Sequence, residues 1–141
     1  MSSRYIVLSA VAAALIFAPG AARAGQAKAG LWSTTATTTV PGMDPQTHTA
    51  TFCMTAEQAN AGGPPGGTTP GCTMSNAHAD GQSYSADMVC TGQFNATGNV
   101  SATYDSDTHY SATTNITTNG VTMTTRSESR WLKADCAGAE H

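Results

Sequence analysis

The stretch from Cys72 to Leu132 constrains the fold more than any other part of this chain, because tight-turn signals interrupt an alternating apolar and polar pattern. Asn119-Gly120 is typical of a type I′ hairpin turn, which needs positive φ at both central residues. That turn sets Ile116 opposite Met123. Three further turns are predicted, at Asp80-Gly81-Gln82, around Gly92 and at Asp105-Ser106-Asp107. The pattern therefore predicts antiparallel hairpins that share one face.

The turn positions also predict which residues lie opposite each other. The expected pairs are Cys72 with Cys90, Met74 with Met88, His78 with Tyr84, Cys90 with Phe94, Met88 with Ala96, Tyr84 with Val100, Ala102 with Tyr110, and Val100 with Ala112. Side chains of a strand alternate between faces, so a slip of one residue would scatter the larger apolar side chains over both faces. All four turns place these side chains on one face, which supports a single register.

The amino terminus predicts a secretory signal peptide over residues 1–24. A short leader is followed by an apolar run, Tyr5 to Phe17, and by the small-x-small sequence Ala22-Arg23-Ala24. The run is too short to span a bilayer. Cleavage is expected after Ala24, which leaves a single β domain over residues 25–136 and a disordered tail over 137–141. The predicted location is the bacterial periplasm or the medium.

The charge of the mature chain excludes several partners. Removing the predicted signal leaves four Lys and Arg residues against nine Asp and Glu residues, a formal charge of −5. Nucleic-acid binding needs a basic patch, and the sequence has none. No second apolar segment is long enough to cross a membrane.

Four cysteines in an exported domain predict two disulfides, since the compartment oxidises thiols. Three connectivities are possible. The hairpin turn at 80–82 favours Cys72–Cys90 as a cross-strand bridge, which leaves Cys53 to pair with Cys136. No CxxC spacing is present, and this argues against a zinc ribbon or a thioredoxin-like motif.

Two more strands and a short helix are predicted before this stretch. Leu31–Val40 and Thr47–Met54 alternate as strands, and Thr55 with Gln58 forms a capping-box pattern at a helix start. A loop rich in Gly, Pro and Thr follows over Gly62–Gly71. The predicted fold is all-β: an antiparallel meander of about seven strands, as a curved sheet or a small up-and-down barrel, with one short helix and two disulfides.

Several landmarks occur in a distinctive order. They are Gly30-Leu31-Trp32, Pro41-Gly42-Met43, Cys53-Met54-Thr55, Cys72, Cys90-Thr91-Gly92, and Arg130-Trp131-Leu132 shortly before Cys136. This order resembles the bacterial Domain of Unknown Function 3617 family of small exported proteins. The resemblance covers nearly all of the mature chain. It implies an exported β-rich domain and no established activity or catalytic residues.

The apolar residues of the predicted strands suggest a binding surface. If the sheet curls, its apolar face lines the interior, where small barrels are filled by side chains and slightly wider ones hold one apolar ligand. The candidate ligand-binding residues are Trp32, Tyr84, Phe94, Tyr104, Tyr110 and Trp131. Small residues on the same face, such as Ala86 and Gly98, leave room for a ligand. A closed core without a cavity is the alternative.

A soft-metal site is a second candidate. Met74 and Met88 should face each other, with His78 further along the strand, and thioether and imidazole groups are ligands of copper. Methionines also fill gaps in thinly packed cores, which would explain the same residues without a metal.

The sequence offers no constellation for catalysis. It lacks G-x-S-x-G, and the four cysteines are better explained as bridges than as nucleophiles. Asp105 and Asp107 are typical turn residues and lack the further ligands of a calcium loop. The sequence therefore predicts a non-enzymatic binding or structural module of the cell envelope, without a cofactor, whose partner is a small apolar ligand or an envelope protein. A periplasmic copper-binding protein is the alternative.

Overall fold

The computed structural model describes residues 27–61 and 71–139, so the predicted signal peptide and most of the predicted Gly/Pro loop lie outside the described residues. Seven strands form one antiparallel sheet, and one short helix follows the second strand. The elements are β1 Gly30–Thr39, β2 Gln46–Met54, α1 Ala56–Ala61, β3 Cys72–Ala79, β4 Ser83–Cys90, β5 Ala96–Ser106, β6 His109–Thr118 and β7 Val121–Lys133. The prediction of an all-β antiparallel fold with one short helix is confirmed.

The strand order shows that the sheet is open and does not close into a barrel. The order is β2-β1-β7-β6-β5-β4-β3. Strands that follow each other in the chain lie side by side, except β2 and β3. The first and last strands pair with each other, as they would in an up-and-down barrel, but β2 and β3 lie at the two edges. Of the two predicted forms, the open sheet is therefore the one observed.

The Asn119-Gly120 hairpin forms as predicted. Both residues adopt positive φ, 50° for Asn119 and 77° for Gly120. Thr118 lies opposite Val121, and Ile116 lies opposite Met123. The turn chemistry alone determined this register, because a type I′ turn fixes the pairing of the residues that flank it.

The registers predicted for the β4–β5 hairpin and for the β5–β6 hairpin are each wrong by two residues. Cys90 lies opposite Ala96 instead of Phe94, since the connection from Thr91 to Asn95 is longer than a tight turn. The same lengthening pairs Met88 with Gly98 and Tyr84 with Ala102. Across β5 and β6, Ala102 pairs with Ala112, Val100 with Thr114 and Tyr104 with Tyr110, because the strands extend further and turn at 107–108. A shift of two residues keeps each side chain on its predicted face.

The pairing of β3 with β4 is only partly as predicted. Cys72 lies opposite Cys90 and Met74 lies opposite Met88, which confirms two of the predicted pairs. The third is wrong, since His78 lies opposite Ser85. A register shift between Ser75 and His78, with Asn76 at a φ of 50°, inserts one extra residue into β3, so His78 moves to the other face.

The helix begins with the predicted capping box. The backbone N–H of Gln58 donates to Thr55 Oγ1 at 3.2 Å, and the backbone N–H of Thr55 donates to Gln58 Oε1 at 2.9 Å. These bonds satisfy two donors at the helix start. One turn later Ala59 is buried and belongs to the hydrophobic core, so the cap directs the helix against the sheet.

The two faces of the sheet differ in chemistry. The apolar face carries Trp32, Phe52, Met74, Tyr84, Met88, Val100, Tyr104, Tyr110, Ile116, Met123 and Trp131. The polar face carries mainly Thr, Ser and Asn, and neighbouring hydroxyls on it hydrogen-bond across strands. Thr35 pairs with Thr49 and Thr37 with Thr47, both at 2.9 Å. Alternation therefore separates a hydrophobic side from a hydroxyl-rich one.

Both predicted disulfides are present, Cys53–Cys136 and Cys72–Cys90. The first joins the end of β2 to the segment after β7, and the second joins β3 to β4. Residues 137–139, predicted as part of a disordered tail, form a turn in which the backbone carbonyl of Gly138 accepts a hydrogen bond from Thr51 Oγ1 at 3.0 Å.

Candidate functional site

Five of the six predicted ligand-binding aromatic residues lie together at one end of the apolar face, where β1 begins and β7 ends. Trp32, Tyr104 and Tyr110 are buried, and Tyr84 and Trp131 pack against them. Ring centroids are 5.4 Å apart for Trp32 and Tyr110, and 5.1 Å apart for Tyr104 and Tyr110. Trp32 is 0% exposed. We call these five residues the aromatic end, and their packing makes it part of the core.

The segment before β1 crosses the aromatic end and is held there by both tryptophans. Trp32 Nε1 donates to the carbonyl of Lys28 at 2.8 Å, and Trp131 Nε1 donates to the carbonyl of Ala29 at 3.1 Å. The backbone N–H of Lys28 also donates to the carbonyl of Asp107 at 2.8 Å. The first two bonds satisfy the indole N–H groups, and all three hold residues 27–29 at the aromatic end. We call residues 27–29 the covering segment.

The two buried tyrosines have different hydrogen-bond environments. Tyr110 hydrogen-bonds with Ser129 and Thr34, and burial raises the pKa of Tyr110 to about 12. Burial, with smaller contributions from Tyr110 and Tyr84, also raises the pKa of Tyr104. The Tyr104 hydroxyl is buried and finds no hydrogen-bond partner among the described residues. Both phenols therefore stay protonated at neutral pH, but only that of Tyr110 is satisfied.

The sixth predicted aromatic residue, Phe94, lies at the opposite end of the sheet. It sits in the connection between β4 and β5 and is 53% exposed. Beside it an open depression of about 320 Å³ is lined by Gly71, Cys90 and residues 91–94. The structure thus does not bring Phe94 to the other five.

A row of apolar positions crosses the sheet near Phe94. The row consists of Met74, Met88, Gly98, Ile116 and Met123, each directly opposite the next across five strands. We call this row, with the exposed side chains of Phe94 and Val121 beside it, the methionine end of the apolar face. Met74 is 42% exposed and Val121 is 46% exposed. Apolar surface is therefore accessible at this end.

Gly98 at the centre of the row has no room for a side chain. A Cβ on this residue would overlap the backbone carbonyl of Asn115 and would lie 3.3 Å from the Cα of Ile116. Because β5 and β6 approach so closely there, the row is interrupted between Met88 and Ile116.

The predicted metal ligands are divided between the two faces. Met74 and Met88 are direct neighbours on the apolar face, whereas the bulge in β3 places His78 on the polar face opposite Ser85. Within residues 27–61 and 71–139, no group of three or more His, Cys, Asp and Glu side chains could hold a metal ion. Two thioethers alone are a weak ligand set for copper.

One polar pair was not anticipated from the sequence. His109 Nδ1 lies 2.7 Å from Asp105 Oδ1 across the turn between β5 and β6, and His109 Nε2 is buried without a partner in the described chain. The signal was present as Asp and His four residues apart, flanking a tight turn. The carboxylate fixes the orientation of the imidazole, but no described nucleophile bonds to the other nitrogen.

The family model for "Protein of unknown function (DUF3617)" matches residues 27–136. The chain belongs to the DUF3617 family. The matched region runs from the residue that begins the covering segment to the cysteine that closes the longer disulfide loop. Neither curated proteins nor solved structures show a significant match to this DUF3617 chain. In the part of the chain that the structure describes, no helix has the length and apolarity needed to cross a bilayer.

Proposed function

We propose that this DUF3617 protein is an exported, non-catalytic binding module of the cell envelope that holds a small apolar ligand at the methionine end of its apolar face. The observation that supports this proposal is the row from Met74 to Met123, where apolar side chains are accessible, whereas the aromatic end of the same face is packed. Contiguous exposed apolar surface is uncommon in monomers and marks binding sites.

The aromatic end is less suited to this role than the sequence suggested. Trp32, Tyr104 and Tyr110 contact one another, and Lys28 and Ala29 lie across the two indoles. A ligand there would have to displace native packing. The methionine end needs no such displacement, because Met74 and Phe94 are already accessible.

The chemistry of the row favours an apolar chain over a flat polar ligand. Five strands spaced at about 4.8 Å give the row a length of about 19 Å. Methionine is unbranched and polarisable, so three methionines can adjust to ligands of different shape. Gly98 adds no side chain to the row between Met88 and Ile116. An acyl chain or a similar hydrocarbon fits these features.

The disulfides support the proposed location. Structural disulfides persist in oxidising compartments and are rare in the cytosol. Cys53–Cys136 and Cys72–Cys90 account for all four cysteines of the chain. Export also agrees with the apolar leader predicted at residues 1–24.

The proposal is tested with N-phenyl-1-naphthylamine, an uncharged apolar dye whose fluorescence rises in hydrophobic sites. Met74→Lys should weaken dye binding by about tenfold, since the dye loses apolar contact worth more than about 1.4 kcal/mol. Val89→Lys is the matched control. Val89 is also 42% exposed and lies opposite Thr73, next to Met74, but on the polar face.

Equal losses for Met74→Lys and Val89→Lys would mean that the dye reports general surface hydrophobicity, and would refute a site on the apolar face. Native mass spectrometry of the oxidised protein from the periplasm gives an independent readout. A bound mass of lipid size, absent from Met74→Lys, would support the proposal. A bare chain that also fails to bind the dye would contradict it.

A further inference from the structure

The two edges of the sheet are protected to different degrees against pairing with strands of other molecules. At the β3 edge, a bulge between Ser75 and His78 interrupts the strand, and Asn76 adopts a φ of 50°. At the β2 edge, nine residues pair with β1 without any register shift. Proteins protect exposed edges with bulges, charges or prolines, because unpaired backbone groups recruit other strands. Gln46–Met54 contains none of these devices.

Only one half of the β2 edge is covered by other parts of the chain. The disulfide from Cys53 and the hydrogen bond from Thr51 to Gly138 bring the carboxyl-terminal segment against the second half. The first half, Gln46–Ala50, has no described strand on its outer side. Residues 46–49 are all exposed. At about 3.4 Å per residue, this half offers roughly 17 Å of unpaired edge.

Charge favours a second copy at this edge and disfavours one at the other. From Gly30 to Met54, Asp44 is the one Asp, Glu, Lys or Arg residue, and it lies in the turn outside both strands. The β3–β4 hairpin instead carries Asp80 and Asp87. Two copies meeting through β2 therefore place no like charges opposite each other, whereas two β3 edges would bring acidic hairpins together.

The side chains on the polar face of this edge are self-complementary. Thr47 and Thr49 hydrogen-bond to Thr37 and Thr35 of β1, and a threonine hydroxyl can donate one hydrogen bond while accepting others. The same ladder can continue into an identical strand.

We propose that Gln46–Ala50 pairs antiparallel with the same segment of a second copy, giving a two-fold symmetric dimer whose sheets are continuous. Such an interface is isologous, so one surface patch serves both subunits. The bulge in β3 prevents equivalent pairing at the other edge, and association therefore stops at two copies instead of extending into a fibre.

Sedimentation velocity of the oxidised mature chain over a concentration series tests the proposal. Thr49→Lys places two ammonium groups near the symmetry axis and should raise the dimer dissociation constant at least about tenfold. Ser75→Lys is the control, because it adds the same charge at an exposed position of the β3 edge. It should leave the dissociation constant unchanged.

Hydrogen exchange of the unmodified protein supplies a readout that does not depend on a variant. Amides within 46–50 should exchange more slowly as the protein concentration rises, while those of 72–79 should not change. A chain that remains monomeric at every concentration would overturn the proposal. Loss of the dimer in Ser75→Lys but not in Thr49→Lys would also overturn it, by assigning the contact to the other edge.

Discussion

The aromatic end and the methionine end occupy the same face of one sheet, and both arise from the same alternation of apolar and polar residues. At the aromatic end, Ala27 and Ala59 are each 7% exposed and lie in the core cluster with the rings. These two residues come from outside the sheet, one from the segment before β1 and one from α1. At the methionine end, Met74, Phe94 and Val121 remain exposed.

The difference teaches that alternation assigns a side chain to a face but does not decide whether that face is covered. Burial at the aromatic end requires the segment at 27–29, which is held by indole hydrogen bonds. Rigid aromatic rings with satisfied N–H groups suit such a fixed contact, whereas methionine suits a surface that must adapt. We therefore expect stability to depend on one end and ligand binding on the other.

The largest effect should follow truncation at the aromatic end. Trp32→Ala removes a side chain that is 0% exposed and should lower the free energy of unfolding by about 4 kcal/mol, because a cavity remains where the indole packed. Met74→Ala at the other end should cost less than about 1 kcal/mol. Chemical denaturation of the oxidised proteins measures both. Similar losses for the two variants would show that the ends do not differ as described.

A smaller effect is expected at alkaline pH. The pKa of Tyr110 rises from its ordinary value of 10.0 to about 12 in the folded state because of burial, so the unfolded chain releases this proton first. Stability should be fully retained below pH 10 and should fall by about 2 kcal/mol as pH approaches 12. Tyr104, whose pKa is also raised, adds to the loss. Denaturation midpoints measured across this range test the prediction.

In the double variant Tyr104→Phe/Tyr110→Phe, the decline in stability between pH 10 and pH 12 should become much shallower. An unchanged decline would assign the effect to groups outside the aromatic end.

The smallest effect distinguishes the two tyrosines within the aromatic end. Tyr104→Phe removes a buried hydroxyl without a described partner and should raise the free energy of unfolding by about 1 kcal/mol. Tyr110→Phe removes hydrogen bonds with Ser129 and Thr34 and should lower it by about 1 kcal/mol. Thermal unfolding of both variants gives the sign. Destabilisation by Tyr104→Phe would show that its hydroxyl has a partner in solution, such as an ordered water.

Local chemistry made several features predictable from the sequence. Asn119-Gly120 fixed its hairpin, Thr55 with Gln58 fixed the helix start, and Cys72 was correctly placed opposite Cys90. Face assignments tolerated two errors in loop length, because each error was an even number of residues. These predictions depended on neighbours in the chain, for which residue type is a strong constraint.

Features that depend on distant or irregular contacts were not predictable. Hydrophobic alternation contains no signal for the pairing of β1 with β7, because it does not identify a partner strand far along the chain. The predicted Cys53–Cys136 bridge joins the two ends of the domain but does not determine which strands pair. The bulge near Asn76 inserts one extra residue where alternation looked regular, and it moves His78 to the opposite face from Met74. The covering role of Lys28 and Ala29 depends on backbone carbonyls, which every residue type carries.

The covering segment at 27–29 has one further consequence, for how the domain can be tethered. β1 starts and β7 finishes at the aromatic end, and Cys136 is bonded there to Cys53, so the chain enters and leaves the domain on one side. A spacer or fusion partner joined next to Ala27 or Cys136 would therefore start from that side. The methionine end and Gln46 lie at the opposite end of the strands and would therefore face away from the attachment point.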